Sequence, residues 1–212
     1  MRVRPAASAS IATRAALCAV LLAALAACSP KLDWREVRGT ADGFVVAMPD
    51  KPQQVTRELD PPSVRAPGAP ALPPRVTMSM LSTGVGPTVF AVGSVRLPAE
   101  LLADPRGADM AVAWLRDALA RNVRSTDPVV TPLPPERLPR GAVRRVRQGV
   151  EVRTRGTVPG PAKAGAESRA AQLAARIYVA DDRLYQLVVL GAEGEVTPDA
   201  VETFFSSFRL ID

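Results

Sequence analysis

Histidine is absent from all 212 residues, cysteine occurs twice, and only 4% of the residues are aromatic. Without histidine no Ser-His-Asp or Cys-His relay can form and no His-liganded zinc can be held. Two cysteines are too few for a structural zinc site or an iron–sulfur cluster. Lysine is scarce as well: of the 27 basic residues only Lys31, Lys51 and Lys163 are lysine. These absences exclude most recognisable catalytic equipment before any pattern is read.

What is present begins at the N-terminus. Arg2, Arg4 and Arg14 precede an uninterrupted apolar run of 14 residues, Ala15 to Cys28. A bilayer-spanning helix needs about 20 residues, so this is the layout of a removable signal peptide. Its last four residues, Leu25-Ala26-Ala27-Cys28, resemble the lipobox of bacterial lipoproteins. The resemblance implies that the Cys28 sulfur receives diacylglycerol, that the bond between Ala27 and Cys28 is cut, and that the new amino group is acylated. Small residues let a peptidase approach the backbone, and cysteine alone offers a sulfur nucleophile. At about 0.8 kcal/mol per buried methylene, two or more acyl chains hold a protein on a membrane where one does not. Ordinary secretion with cleavage after Ala24-Leu25-Ala26 fits the same pattern of small residues. It would leave Cys28 as a lone thiol in a compartment that oxidises thiols. By the same resemblance Ser29, where Asp would favour inner-membrane retention, points to the outer membrane, facing the periplasm.

Removal of residues 1–27 leaves 185 residues and takes three arginines with it, so the net charge falls from +6 to +3. That length suits one domain burying roughly 70% of its unfolded surface. No basic patch interleaved with aromatics remains, so no nucleic-acid partner is expected. Residues 28–42 read as lipidated N-terminus and tether, and 43–212 as a single domain. Within it 49–74 (eight prolines), 128–139 (five prolines) and 158–166 lack periodicity and read as loops.

Between these loops residues alternate with period 2 over 43–48, 75–82 and 88–97, the last two joined by Gly84-Val85-Gly86-Pro87. No lysine and no helix follow that G-x-G, so it reads as a turn and not as a phosphate loop. The strongest hairpin joins 169–180 to 183–191 through Asp181-Asp182. A turn centred there sets Tyr178 opposite Tyr185 and Arg176 opposite Leu187. Both of its faces are largely apolar, which predicts a central, doubly covered position. One helix is expected over 108–123, with Val112, Leu115, Leu119 and Val123 on a stripe widened by Met110 and Trp114. Another begins with Thr197 as N-cap and Pro198 at its first position, and carries Val201, Phe204, Phe205 and Phe208 at i, i+3, i+4 and i+7.

Trp34-Arg35-Glu36-Val37, Gly43-Phe44-Val45-Val46, Met48-Pro49-x-Lys51-Pro52, Arg176-x-Tyr178-Val179-x-Asp181-Asp182-Arg183-Leu184-Tyr185-Gln186-Leu187 and the closing Phe204-Phe205-Ser206-Ser207-Phe208 resemble a group of bacterial envelope proteins and, in element order, PsbP-like domains. The resemblance implies an α+β fold with an antiparallel sheet packed between helices, working as an assembly or binding module. About six strands in a single sheet and two main helices are expected.

Candidate chemistry is sparse. Asp181-Asp182 reads as an acidic turn; no third carboxylate lies at ligand spacing, so no metal is expected. Glu193 and Glu195 read as loop solvation. The segment 137–155 holds seven arginines against Glu151, a solvated strand face whose functional version is a surface for anionic lipid headgroups or glycan phosphates formed by Arg144, Arg145, Arg147, Arg153 and Arg155. Trp34, Trp114, Tyr178 and Tyr185 are core aromatics or, less readily, a ligand pocket. The expected function is that of a membrane-anchored envelope lipoprotein acting without catalysis as a binding, scaffold or assembly module. It has no cofactor beyond the lipid on Cys28, and its partners are the membrane and an envelope protein. A carrier of small ligands or lipids is the alternative, and an enzyme the least supported.

Overall fold

Apolar periodicity becomes ten strands and three α-helices among the described residues of the computed structural model, which describes 32–60, 75–141, 146–160 and 167–211. In chain order these are β1 (Arg35–Gly39), β2 (Phe44–Met48), β3 (Gln53–Leu59), β4 (Val76–Val85), β5 (Thr88–Arg96), α1 (Ala99–Ala103), α2 (Gly107–Asn122), β6 (Val129–Pro132), β7 (Val146–Pro159), β8 (Ser168–Ala180), β9 (Arg183–Ala192), α3 (Pro198–Ser207) and β10 (Arg209–Leu210). The leader, Ala27, Cys28, Arg144 and Arg145 lie outside the described residues, as do 61–74 and 161–166.

The α+β class and the antiparallel pairing are as expected; the single sheet of about six strands is corrected. Seven strands in the order β3-β4-β5-β9-β8-β7-β6 form one antiparallel sheet, and β1-β2-β10 form a second. The β8–β9 hairpin has the expected register, Tyr178 opposite Tyr185 and Arg176 opposite Leu187. Asp181 takes φ +49° at its turn, a left-handed conformation that aspartate tolerates.

Burial on both faces follows from that central place. Leu173, Ala175, Ile177 and Val179 of β8 share one core with Ala111, Val112, Leu115 and Leu119 of α2. On the other face Tyr178, Tyr185 and Phe90 meet Phe208, Phe44 and Phe204, residues of β2 and of the last helix and its cap. α3 starts where the cap residues place it: the Ala200 N–H donates to Thr197 Oγ1 at 3.3 Å, with Pro198 in the first turn.

Several segments read as irregular are regular. β3 occupies 53–59 inside the 49–74 stretch, because the prolines flank it and leave seven consecutive residues able to complete a ladder with β4. β6 lies within 128–139 at the outer edge of the sheet, where its Pro132 forfeits no interior hydrogen bond. β7 continues to Pro159. The tether expected over 28–42 does not extend past Trp34: β1 pairs with β2 from Arg35 to Gly39. The partly buried pair Arg183–Asp42, at 2.8 Å, and the Tyr185 hydroxyl donating to the Asp42 carbonyl at 2.7 Å tie the small sheet's turn to β9. Residues 33–212 form one compact unit. No helix among the described residues is long and apolar enough to cross a membrane.

Candidate functional site

β7 presents Glu151, Arg153 and Arg155 on the sheet face that α3 covers, opposite Arg176, Ala174 and Gln172 of β8. Alternation brings three charges to one face; tertiary packing then decides what each does. Arg176 is 2% exposed although it is a charged residue in a central strand. Its Nε donates to Glu151 Oε2 at 3.0 Å and its Nη2 to Glu202 Oε2 of α3 at 3.1 Å, while its guanidinium carbon sits 4.7 Å from the centre of the Phe205 ring. Arg153 Nε donates to the other Glu151 oxygen at 2.7 Å, and Arg137 Nη2 lies 3.3 Å from both Glu151 and Glu202. Three guanidiniums therefore share two carboxylates, and the set joins β7, β8, α3 and the short turn that contains Arg137. Buried charges persist when paired and hydrogen-bonded in this way.

Two depressions flank the network on the same side of the molecule. The smaller, about 330 Å³, is bordered by Arg137, Arg140, Arg176, Tyr178 and Glu202. The larger, about 690 Å³, lies between the loop after α2, the outward face of β7 and the start of α3. Its charged lining is Arg124, Arg153 and Arg155 against the single carboxylate Asp127. Ser125 and Thr154 add hydroxyls hydrogen-bonded to each other, and Leu173, Val196, Val201 and Val129 supply apolar wall. Arg155 is 78% exposed and its partner Glu193, at 3.5 Å, is also exposed, so water screens the pair.

The loop that carries Arg124 is held by its backbone. The Ser125 N–H donates to the Ala120 carbonyl at 2.9 Å and the Arg124 N–H to the Arg121 carbonyl at 3.1 Å, closing α2 with a Schellman turn. The Thr157 N–H donates to the Val123 carbonyl at 2.7 Å, and a Cβ on Gly156 would stand 1.9 Å from that oxygen, so only glycine admits the helix end this close to β7.

Of the arginines read from the sequence as a surface for anions, Arg153 and Arg155 reach the larger cleft, whereas Arg153 is also engaged by Glu151. Arg147 stands exposed on β7, apart from the residues that line either depression. Arg124, Arg137 and Arg176 were not read as site residues. A charged residue within an apolar strand is the available signal for Arg176, Arg137 opens the arginine-rich segment 137–155, and nothing local marks Arg124. The four aromatics do not converge. Tyr178, Tyr185 and Trp34 pack on the α3 side, Trp34 edge-on to Phe90, while Trp114 packs against the α2 core. Asp182 pairs with Arg96 at 3.0 Å. Among the described residues no three Cys, Asp or Glu gather to hold a metal.

The network titrates at both ends of the pH scale. Burial opposes the charge on Glu151, yet hydrogen bonds from Arg153 and Arg176 outweigh it and hold the carboxyl below its ordinary value. Its contribution to stability is present above the unfolded carboxylate value, about 4.3, and is lost as pH falls through the lower folded value. Burial pushes the Tyr178 hydroxyl up from 10.0 to about 12. The unfolded chain therefore ionises first, and stability falls between about pH 10 and 12. Urea midpoints measured across pH should decline at both ends, and Tyr178→Phe should flatten the alkaline limb by roughly 2–3 kcal/mol. Equal alkaline limbs in the two proteins would refute this placement of Tyr178.

No protein-family model matches the chain, and no curated protein is similar enough to count as a relative.

Proposed function

We propose that the chain is a lipid-anchored bacterial envelope protein whose α+β domain works by binding, without catalysis. The observation that carries this reading is the chemistry of the larger cleft: its charged lining is three guanidiniums against one carboxylate, Asp127. Arginine keeps its proton throughout the physiological range and so recognises anions but cannot trade protons with a substrate. The nearest buried carboxylate, Glu151, is held ionised by Arg153 and Arg176 and is a poor proton carrier. The leader supplies the location. Cys28 is the acylated residue, Ser29 directs the protein to the outer membrane facing the periplasm, and residues 29–34 connect the anchor to β1. A PsbP-like reading of the domain is supported by the antiparallel sheet with helices on both of its sides. A carrier of small ligands is the second reading, supported by the cationic and apolar lining of the same cleft.

Metabolic labelling with a fatty acid should mark the wild-type protein and leave Cys28→Ser unlabelled; label persisting on the variant would remove the anchor from the proposal. Binding is tested separately by a photo-crosslinking residue at Val129, 61% exposed on the cleft rim. An adduct in intact envelopes that disappears in Arg155→Gln is expected. An adduct indifferent to that change would place binding elsewhere.

A further inference from the structure

We infer that the cleft between the α2 end and α3 takes an amphipathic organic phosphate, with Arg124 as its principal anion-holding residue; this rests on the binding role proposed for the same cleft. Arg124 occupies the position after the helix cap where a left-handed backbone is required, with φ +48°. Glycine is the usual residue there, because a side chain at positive φ costs about 1–2 kcal/mol. Packing and backbone hydrogen bonds on both sides of Arg124 impose this conformation, so it is the arginine, and not the turn, that is unexpected. Unfavourable backbone geometry borne by a residue lining a cleft is the pattern of a position retained for its side chain.

The side chain's surroundings agree. Arg124 Nη1 donates to the neutral hydroxyl of Ser168 at 3.0 Å, which does not compensate its charge. Arg155, in the same lining, has among the described residues only the screened contact with Glu193. Two guanidinium forks in one cleft lining match the several acceptor oxygens of a phosphate. Val129 and Val196 in the lining supply an apolar wall for an ester group. A bare inorganic anion would leave that wall unused, which is the reason for assigning an organic ester.

The test is calorimetric titration of the full chain in detergent with phenyl phosphate, inorganic phosphate and dihexanoyl phosphatidylglycerol. Phenyl phosphate should bind more tightly than inorganic phosphate and lose affinity with added salt. Arg124→Gly and Arg155→Gln should each weaken it about tenfold, the usual scale for a charged hydrogen bond, while Arg57→Gln on the distant β3 edge should leave it unchanged. Arg124→Gly should also keep or raise the thermal midpoint, since glycine relieves the backbone. Tighter binding of the short-chain lipid identifies a membrane headgroup as the source, and tighter binding of phenyl phosphate a soluble ester. No binding of either, or binding unaffected by both cleft variants, overturns the inference. An Arg124→Gly chain that loses stability would overturn the functional reading of Arg124. Absence of phosphate binding together with the Arg155-dependent crosslink at Val129 would reject the ligand class and retain the binding role.

Discussion

Arg176→Ala is expected to lower the unfolding free energy by about 3–5 kcal/mol, the usual scale for removing one partner of a buried ion pair. The deletion leaves a void over the Phe205 ring and takes the buried donor from Glu151, an acid that is itself only 8% exposed. Glu202, exposed on α3, returns to water at little cost. The informative comparison is Arg153→Ala. Arg153 donates to the same carboxylate at a shorter distance, 2.7 Å against 3.0 Å, yet its side chain is 57% exposed. An exposed pair is worth about 0–1 kcal/mol, because water screens the charge and the long side chain is ordered only at an entropic cost. Urea unfolding of both variants should therefore separate them by several-fold in ΔΔG. Equal losses would show that Arg176 is solvated in solution and that the network is a surface feature. Arg176→Met, which fills much of the volume without a charge, should recover part of the loss, since apolar replacement of a buried charge is often tolerated.

Phe204→Ala should cost a similar amount, about 3–5 kcal/mol, by a different route. Phe204 has 0% exposure and meets Phe90 of β5 edge-on at 5.5 Å and Phe205 at 5.8 Å. Removing the ring opens a cavity between α3 and the large sheet that neighbours on a rigid strand cannot fill. α3 also packs on β2 of the small sheet, where the Ala47 N–H donates to Ser207 Oγ at 2.9 Å. Loosening the helix therefore affects both layers, and the transition should become less cooperative. Phe204→Leu, which keeps most of the volume, should lose less than half as much. A near-native midpoint for Phe204→Ala would mean that α3 does not pack through this face.

The elements legible in the sequence were those whose signal is local. The hairpin of β8 and β9 could be registered residue by residue because alternation and a two-residue turn determine pairing between neighbours in the chain. α3 could be placed from Thr197, Pro198 and the spacing of its phenylalanines for the same reason. β3 was missed because Gln-Gln-Val-Thr-Arg-Glu-Leu has almost no apolar alternation; it is an exposed edge strand, stabilised by the ladder it makes with β4. β1 and β10 were missed because they are short and both pair with β2, Arg209 and Leu210 across more than 160 residues of chain. The site divides in the same way. Arg153 and Arg155 were visible as one strand face, whereas Arg124 and Arg137 join them through contacts that no spacing encodes.

By itself the sequence determined the absence of histidine, the antiparallel hairpins and the two amphipathic helices, all of which rest on composition or on periods of two and 3.6 residues. Only the tertiary structure decided how the arginines are paired. Arg176 is 25 residues from Glu151 and 26 from Glu202, and Arg137 is 65 from Glu202. Whether such charges are paired with each other, as at Arg176, or stay exposed to water, as at Arg124 and Arg155, depends on burial and on distances across the fold. Coulombic and desolvation energies are set by those distances and by exposure to water, neither of which is a property of neighbouring residues in the chain.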